Sequence, residues 1–202
     1  MLTAALFLFL ASPAYSLSII TSNSGLDQGQ GCGAPDCFFS EIFTLDAPAP
    51  VSGTFDLTGS TLTFSIDLAA ASFSGSDGSV TGVDFSNVNY SGSVSVTPGL
   101  PGIVTILDQP SSVAGLLTPV GAGSATPFNL SGVNTVGDCA TVGNTITCGL
   151  TFGSGTGFPI DVNGNTRYFK HKVDIVAVIP EPGTALLLGS GLALLGARRR
   201  LF

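Results

Sequence analysis

The 202-residue chain has few charged residues and no tryptophan. Aspartate, glutamate, lysine and arginine together make up 9% of it, and there is a single histidine. Helical bundles depend on Glu, Lys and Ala, whereas here 27 glycines and many serines and threonines separate short apolar runs. This composition excludes a helical bundle and predicts many short strands joined by turns.

Positive charge is scarce. The chain has six basic residues, and half of them are Arg198, Arg199 and Arg200 near its end. The part between Leu17 and Ile179 keeps twelve of the thirteen acidic residues but three of the six bases. No basic patch is available to neutralise phosphates, so nucleic acid is excluded as a partner.

Catalytic motifs are missing as well. The sequence has no Gly-x-Ser-x-Gly elbow, no His-Glu-x-x-His pair, no phosphate-binding loop and two glutamates in all. The one histidine, His171, is flanked by Lys170 and Lys172 in a run typical of a strand, so we expect a strand residue rather than a general base. We predict no catalytic residue, metal site or cofactor, and therefore a protein that is not an enzyme. An Asp-dependent glycan hydrolase remains an alternative.

The N-terminus has the pattern of a secretory signal peptide. Residues 2–11 are almost entirely apolar, and small residues alternate in the segment 13–16 that follows. We assign residues 1–16 to the signal peptide, with cleavage after Ala14 or after Ser16.

The C-terminus combines a rigid segment, an apolar run and a basic cluster. Pro180 and Pro182 favour extended backbone around Glu181 and exclude both helix and central strand. Residues 184–197 are apolar and would span about 21 Å as a helix, less than the ~30 Å hydrocarbon core of a membrane. The arginines at 198–200 would stay on the cytoplasmic side and leave the rest of the chain outside. The run therefore predicts a short, weakly held transmembrane helix.

This order of features resembles the PEP-CTERM sorting signal of proteins exported by Gram-negative bacteria. Pro180, Glu181 and Pro182 match the family's Pro-Glu-Pro motif, residues 184–197 its membrane helix and 198–200 its basic cluster. The resemblance covers the sorting signal, 179–202, and not the body. It implies that the chain is the substrate of exosortase, a membrane-embedded peptidase, and is sorted from the inner membrane to the cell surface or a polysaccharide-containing biofilm matrix.

Residues 17–178 form an extracytoplasmic body with the patterns of antiparallel strands. Residues 51–57 and 61–68 alternate apolar and polar side chains around a short loop at 58–60, which predicts a hairpin. Asn163-Gly164 predicts a two-residue turn before a strand with His171 on its apolar face. A phase slip at Ser86 and Asn87 predicts a β-bulge. Further strands are expected near 38–45, 103–107 and 144–152. We predict an all-β, antiparallel, β-sandwich-like fold.

The four cysteines predict disulfides, because an exported protein enters an oxidising compartment. Cys32 and Cys37 are five positions apart, and Cys139 and Cys148 are nine apart. Of the three possible connectivities, we favour these two short-range pairs, because short loops close most readily.

Two further functions remain open for the body beside a non-enzymatic structural or adhesive role. One is calcium binding, for which Asp161, Asn163 and Asn165 have the alternation but not the glycine and glutamate positions of an EF-hand loop. The other is polysaccharide binding. Other candidate ligands for a cation are Asp77, Asp84 and Asp138. Candidate side chains for stacking on a sugar are Tyr90 and Tyr168.

Overall fold

A computed structural model describes residues 17–19, 25–33, 43–76, 80–99, 101–121 and 123–178, the first two segments as backbone. The predicted signal peptide, the sorting tail with its membrane helix at 184–197, and residues 38–42 of one expected strand lie outside these residues. The described elements are β1 (Leu17–Ile19), β2 (Gly25–Gly33), β3 (Phe43–Leu45), β4 (Ala49–Thr58), β5 (Thr61–Gly75), β6 (Gly82–Ser95), β7 (Thr97–Pro98), β8 (Ile103–Pro119), β9 (Thr126–Val142), β10 (Thr145–Phe152), β11 (Phe158–Val162) and β12 (Asn165–Val178).

Every described element is a strand, and all pairings are antiparallel, which confirms the all-β prediction. Within the described ranges, no helix is long and apolar enough to cross a membrane.

The twelve strands belong to one continuous sheet that closes on itself. Neighbours run in the order β5, β6, β8, β9, β10 and β12, and β12 then pairs with β2. β2 pairs with β3, and β3 pairs with β5, so the circuit returns to its start. The predicted pair of separate sheets is therefore replaced by one sheet whose opposite walls pack together. Closure satisfies backbone groups that two separate sheets would expose along their edges.

The predicted hairpins are confirmed. β4 and β5 pair from Thr58 with Thr61 back to Val51 with Leu68, so the loop is two residues long rather than three. The turn between β11 and β12 is formed by Asn163 and Gly164, with φ of 53° and 78°. Positive φ at both positions matches the twist that a two-residue hairpin turn requires.

The β-bulge expected near Ser86 and Asn87 is present, and the β8–β9 and β12–β2 pairings shift in register as well. The β6–β8 register shifts between Ser86 and Asn89, and the β8–β9 register shifts twice. The β6–β8 shift and the two β8–β9 shifts each contain a residue with positive φ: Asn87 at 50°, Asp108 at 43° and Gly132 at 71°. Bulges increase local twist, which allows strands of up to 17 residues to wrap around a closed core.

Two strands differ from the prediction. β8 continues far beyond the expected 103–107, and β9 was not predicted at all. Pro110 and Gly132 break the local pattern of these segments, yet both are accommodated because β8 and β9 pair with each other along most of their length. Long-range hydrogen bonding thus overrides weak local propensity.

The core lies inside the closed sheet and is rich in aromatic rings. Phe64 of β5 meets Phe152 of β10 with ring centroids 5.8 Å apart, and Phe85 of β6 meets Phe169 of β12 at 5.2 Å. These pairs join opposite walls of the sheet. Alternate residues of β12 from Phe169 to Ala177 are buried, as predicted.

Candidate functional site

The body's one histidine lies in the centre of this core. His171 is 0% exposed and is surrounded by aromatic rings from four strands. The Phe73 ring stacks on its imidazole with centroids 5.5 Å apart, and the Phe85 ring meets it edge to face at 4.7 Å. Phe158 and Phe169 contact it from the β11 and β12 side.

One polar contact holds the imidazole. Nδ1 of His171 and the Tyr90 hydroxyl oxygen are 2.7 Å apart, a hydrogen bond between buried side chains 81 positions apart in sequence. Nε2 is buried, and no described residue offers it a hydrogen-bond partner. The pair thus joins β6 to β12 across the core.

Burial determines the charge state of both groups. Desolvation lowers the pKa of His171 to about 3 and raises the pKa of Tyr90 above its usual range. Both side chains are therefore neutral at neutral pH. His171 is a strand residue, as expected, and its full burial keeps it from contact with a substrate in solution.

Tyr90 was considered as a sugar-stacking side chain, and the structure corrects this. Tyr90 is 0% exposed, and its ring stacks on Phe152 at 4.6 Å. The alternation of β6 places it on the inner face, where no external ligand reaches it. Tyr168 is half-buried on the other face of β12.

The carboxylates proposed for a cation do not converge. Asp84 lies opposite Thr118 of β8, and Asp138 lies opposite Thr105 of the same strand. Those two β8 positions are thirteen residues, or roughly 40 Å, apart. Asp77 lies outside the described residues. The Gly164 amide donates to Asp161 Oδ1 at 2.7 Å, so that carboxylate stabilises the β11–β12 turn. No group of three or more potential metal ligands occurs in the part of the chain that the structure describes.

The disulfide between Cys139 and Cys148 is present. The two residues lie directly opposite each other on β9 and β10, with Cα atoms 4.1 Å apart, and both are buried. This agrees with the short-range pairing favoured from the sequence. The proposed bond between Cys32 and Cys37 involves side chains outside the described residues.

A groove that the sequence analysis missed lies where β10 leads into β11. β9 pairs with β10 only from Thr135 onward, so the preceding segment of β9 and the loop at 153–157 leave a space between them of about 460 Å³. The Gly153 and Ser154 amides both donate to the Asn134 carbonyl and close one end of the space. A Cβ at Gly153 would lie 2.7 Å from the Phe169 carbonyl oxygen, so glycine is required there.

The groove lining is neutral. Hydroxyl groups come from Ser131, Ser154 and Thr156, an amide comes from Asn134, and Pro159 adds apolar surface. Such a lining can exchange hydrogen bonds with a neutral, hydroxyl-rich ligand, but it contains no acid or base for catalysis. The cluster of glycines at 153, 155 and 157 is the sequence signal that indicates a loop at this position.

Comparison with known proteins bears on the tail alone. The family model of the PEP-CTERM protein-sorting motif matches residues 178–200. No curated protein and no solved structure matches the chain. The match confirms the resemblance inferred from Pro180, Glu181 and Pro182 and from the basic cluster Arg198, Arg199 and Arg200. These residues lie outside the described part of the structure.

The fold and the tail together define a class: a β-rich, extracytoplasmic body carried by a sorting signal. A PEP-CTERM tail implies an exported, membrane-anchored precursor that exosortase processes and that reaches the cell surface.

Proposed function

We propose that this protein is a non-enzymatic structural or adhesive component of the cell surface or extracellular matrix, released from its membrane anchor by exosortase. The observation that carries the proposal is the sorting-motif match at 178–200. The disulfide of the acidic body supports export. The burial of His171 among aromatic rings and the neutral lining of the groove support a non-enzymatic role.

The test is the position of the mature C-terminus. Pro180 and Pro182 favour an exposed, extended segment beside the membrane, so we expect the protein from the cell surface to end within 180–183. Replacing Pro180, Glu181 and Pro182 with alanine should leave full-length precursor in the inner membrane. Intact mass spectrometry of surface and membrane fractions measures both results.

A matched control is alanine replacement of Ser72, Ser74 and Ser124, exposed residues of the body, which should leave processing unchanged. Surface protein of wild-type sequence that still ends at Phe202 would contradict processing and leave a simple tail anchor.

A second candidate function is polysaccharide binding, which the neutral, hydroxyl-lined groove favours. A glycan array probed with and without calcium tests it. Ser131→Tyr should fill the groove and abolish binding, whereas Ser124→Tyr, at an exposed site outside the groove, should not. Equal binding by both variants would exclude the groove, and calcium-dependent binding would indicate a cation-bridged ligand instead. Turnover of the producer's own polysaccharide would instead support the alternative of an Asp-dependent glycan hydrolase.

A further inference from the structure

One end of the closed sheet is formed by turns that lie beside the last residue of β12. Val142 pairs with Thr145, and Thr145 pairs with Val178, so Val142 lies two strand spacings, or about 10 Å, from the point where the tail begins. The Thr141 amide donates to the Gly102 carbonyl, which attaches the loop before β8 to the same end.

This end continues around the circumference of the sheet. The Val96 amide donates to the Ser60 carbonyl, which brings the β4–β5 turn next to the end of β6. We call the turn at 59–60, residues 97–99 and 101–103, and the turn at 143–144 with Val142 the tail-side rim. β1, which follows the predicted signal peptide, pairs with Ala177 and Val178 at the same end.

The tail-side rim exposes apolar side chains. Val142 is 78% exposed, more than any other large apolar side chain in the described ranges, and Ile103 is 36% exposed. Pro98 and Pro101 are also exposed. Water contact at these side chains is unfavourable, and a lipid interface would relieve it.

The rim is also uncharged, although the body is acidic. No charged residue occurs in the sequence at 57–62, 96–104 or 139–146. The carboxylate beside the rim is that of Asp56, which accepts a hydrogen bond from the Thr58 hydroxyl. At the opposite end, by contrast, Asp46 accepts a hydrogen bond from the Ser74 amide and Asp161 lies beside the β11–β12 turn. Because the residues of the rim itself carry no charge, phosphate-bearing lipid headgroups would repel it only weakly.

The tail restricts how far this end can lie from a membrane. Five residues, Ile179 to Gly183, separate β12 from the apolar run at 184–197. Fully extended, they span at most about 17 Å. The headgroup layer takes up about 6 Å of that distance. An anchored body must therefore hold this end within roughly 10 Å of the bilayer surface.

We propose that the tail-side rim rests on the outer surface of the lipid bilayer in the anchored precursor, with the Val142 side chain inserted into the interface. This inference rests on the proposed sorting function, because it requires the tail to anchor the chain. The contact would hold the Pro180–Pro182 segment at a constant height above the membrane, in reach of a membrane-embedded peptidase.

The chain contains no tryptophan, so a single one reports its own surroundings. The full-length Val142→Trp variant is reconstituted into vesicles of equal parts phosphatidylcholine and phosphatidylglycerol. The matched control is Val120→Trp, an apolar residue that is 39% exposed at the opposite end of β8, roughly 50 Å along the strand. Flotation of the vesicles first establishes that both variants are anchored.

Vesicles with bromine near the headgroup end of the acyl chains then quench tryptophan in the interface. Interfacial anchors reach about 5–10 Å into the boundary region, so Val142→Trp emission should fall roughly twofold and shift to the blue, while Val120→Trp emission stays unchanged. If both variants float with the vesicles but neither tryptophan is quenched, the rim contact is overturned and the tail anchor is left intact.

Two other results would also overturn it. Blue-shifted Val142→Trp emission without quenching, together with cross-links between copies at this position, would assign the rim to a second copy of the chain. Failure of both variants to float would contradict the tail anchor and, with it, the rim contact.

Discussion

At the scale of single residues, the pair of His171 and Tyr90 is the most consequential polar feature of the core. Both side chains are fully buried, and their mutual hydrogen bond is the polar contact that the structure gives each of them. A buried polar group that loses its partner is costly, whereas replacing both partners with apolar groups is far less so. The pair should therefore behave as a unit.

Tyr90→Phe removes the hydroxyl and leaves Nδ1 of His171 buried without its partner. We expect the free energy of unfolding to fall by about 1–3 kcal/mol. Chemical denaturation followed by circular dichroism measures the change. Tyr168→Phe, on the other face of β12, is the matched control and should change stability by less than about 0.5 kcal/mol.

The double variant Tyr90→Phe with His171→Leu tests whether the two side chains contribute to stability together. Because both polar groups are gone, the pair should be less destabilised than the sum of the two single changes. Strict additivity would show that the hydrogen bond contributes little.

His171 also predicts a pH dependence. Its pKa of about 3 in the folded protein lies below the ordinary unfolded value of about 6.5. The unfolded state therefore binds the proton first, and the stability contributed by neutral His171 is complete above pH 6.5 and is lost as pH falls from 6.5 toward 3. The expected loss is about 1 kcal/mol per pH unit across most of that window.

Denaturation curves at several pH values compare the wild-type protein with the double variant, in which this dependence should be absent between pH 6.5 and 5. Below that range carboxylates contribute in both proteins. Parallel curves for the two proteins would show that the pKa of His171 is not lowered in the folded state.

At the scale of elements, the β9–β10 hairpin is the best-defined unit. The two strands pair continuously from Thr135 with Phe152 to Val142 with Thr145, and the disulfide joins them in the middle. The same pairing places Val142 at the tail-side rim and leaves the earlier part of β9 free to line the groove.

Removing the disulfide by Cys139→Ala with Cys148→Ala should lower the free energy of unfolding by about 2–3 kcal/mol, because a short loop loses its cross-link in the unfolded chain. Denaturant titration measures the loss. A non-reduced digest should contain a peptide joining Cys139 to Cys148. A peptide joining either residue to Cys32 or Cys37 would contradict the pairing.

At the scale of the whole molecule, β12 closes the sheet. It pairs with β10 and β11 along one edge and with β1 and β2 along the other. Strands from both ends of the body must therefore meet before the core is enclosed. Such long-range pairing makes folding cooperative and slow compared with a fold of local contacts.

A body of residues 17–178 should fold without the sorting tail, whereas residues 17–163 should not. The shorter chain lacks β12 and leaves the core residues of β6 and β10 open to water. Near-ultraviolet circular dichroism and limited proteolysis distinguish the two. A protease-resistant, cooperatively unfolding product from residues 17–163 would show that closure by β12 is not required.

Local chemistry made several features predictable from the sequence. The hairpins at 58–61 and 163–164, the bulge at Asn87 and the buried face of β12 all follow from turn residues and period-two alternation. The short pair of Cys139 and Cys148 follows from spacing. Each depends on neighbours in the chain, so no knowledge of distant contacts is needed.

The sequence by itself determined the all-β class, the local turns and the sorting tail, because each depends on residues that are adjacent in the chain. Only the tertiary structure decided the closure of the sheet, the course of β9, the burial of Tyr90 against His171 and the position of the groove. Those features arise where segments far apart in sequence exchange backbone hydrogen bonds and bury rings against one another. Such pairing is a property of the assembled sheet, and it determines which of many amphipathic strands lie side by side.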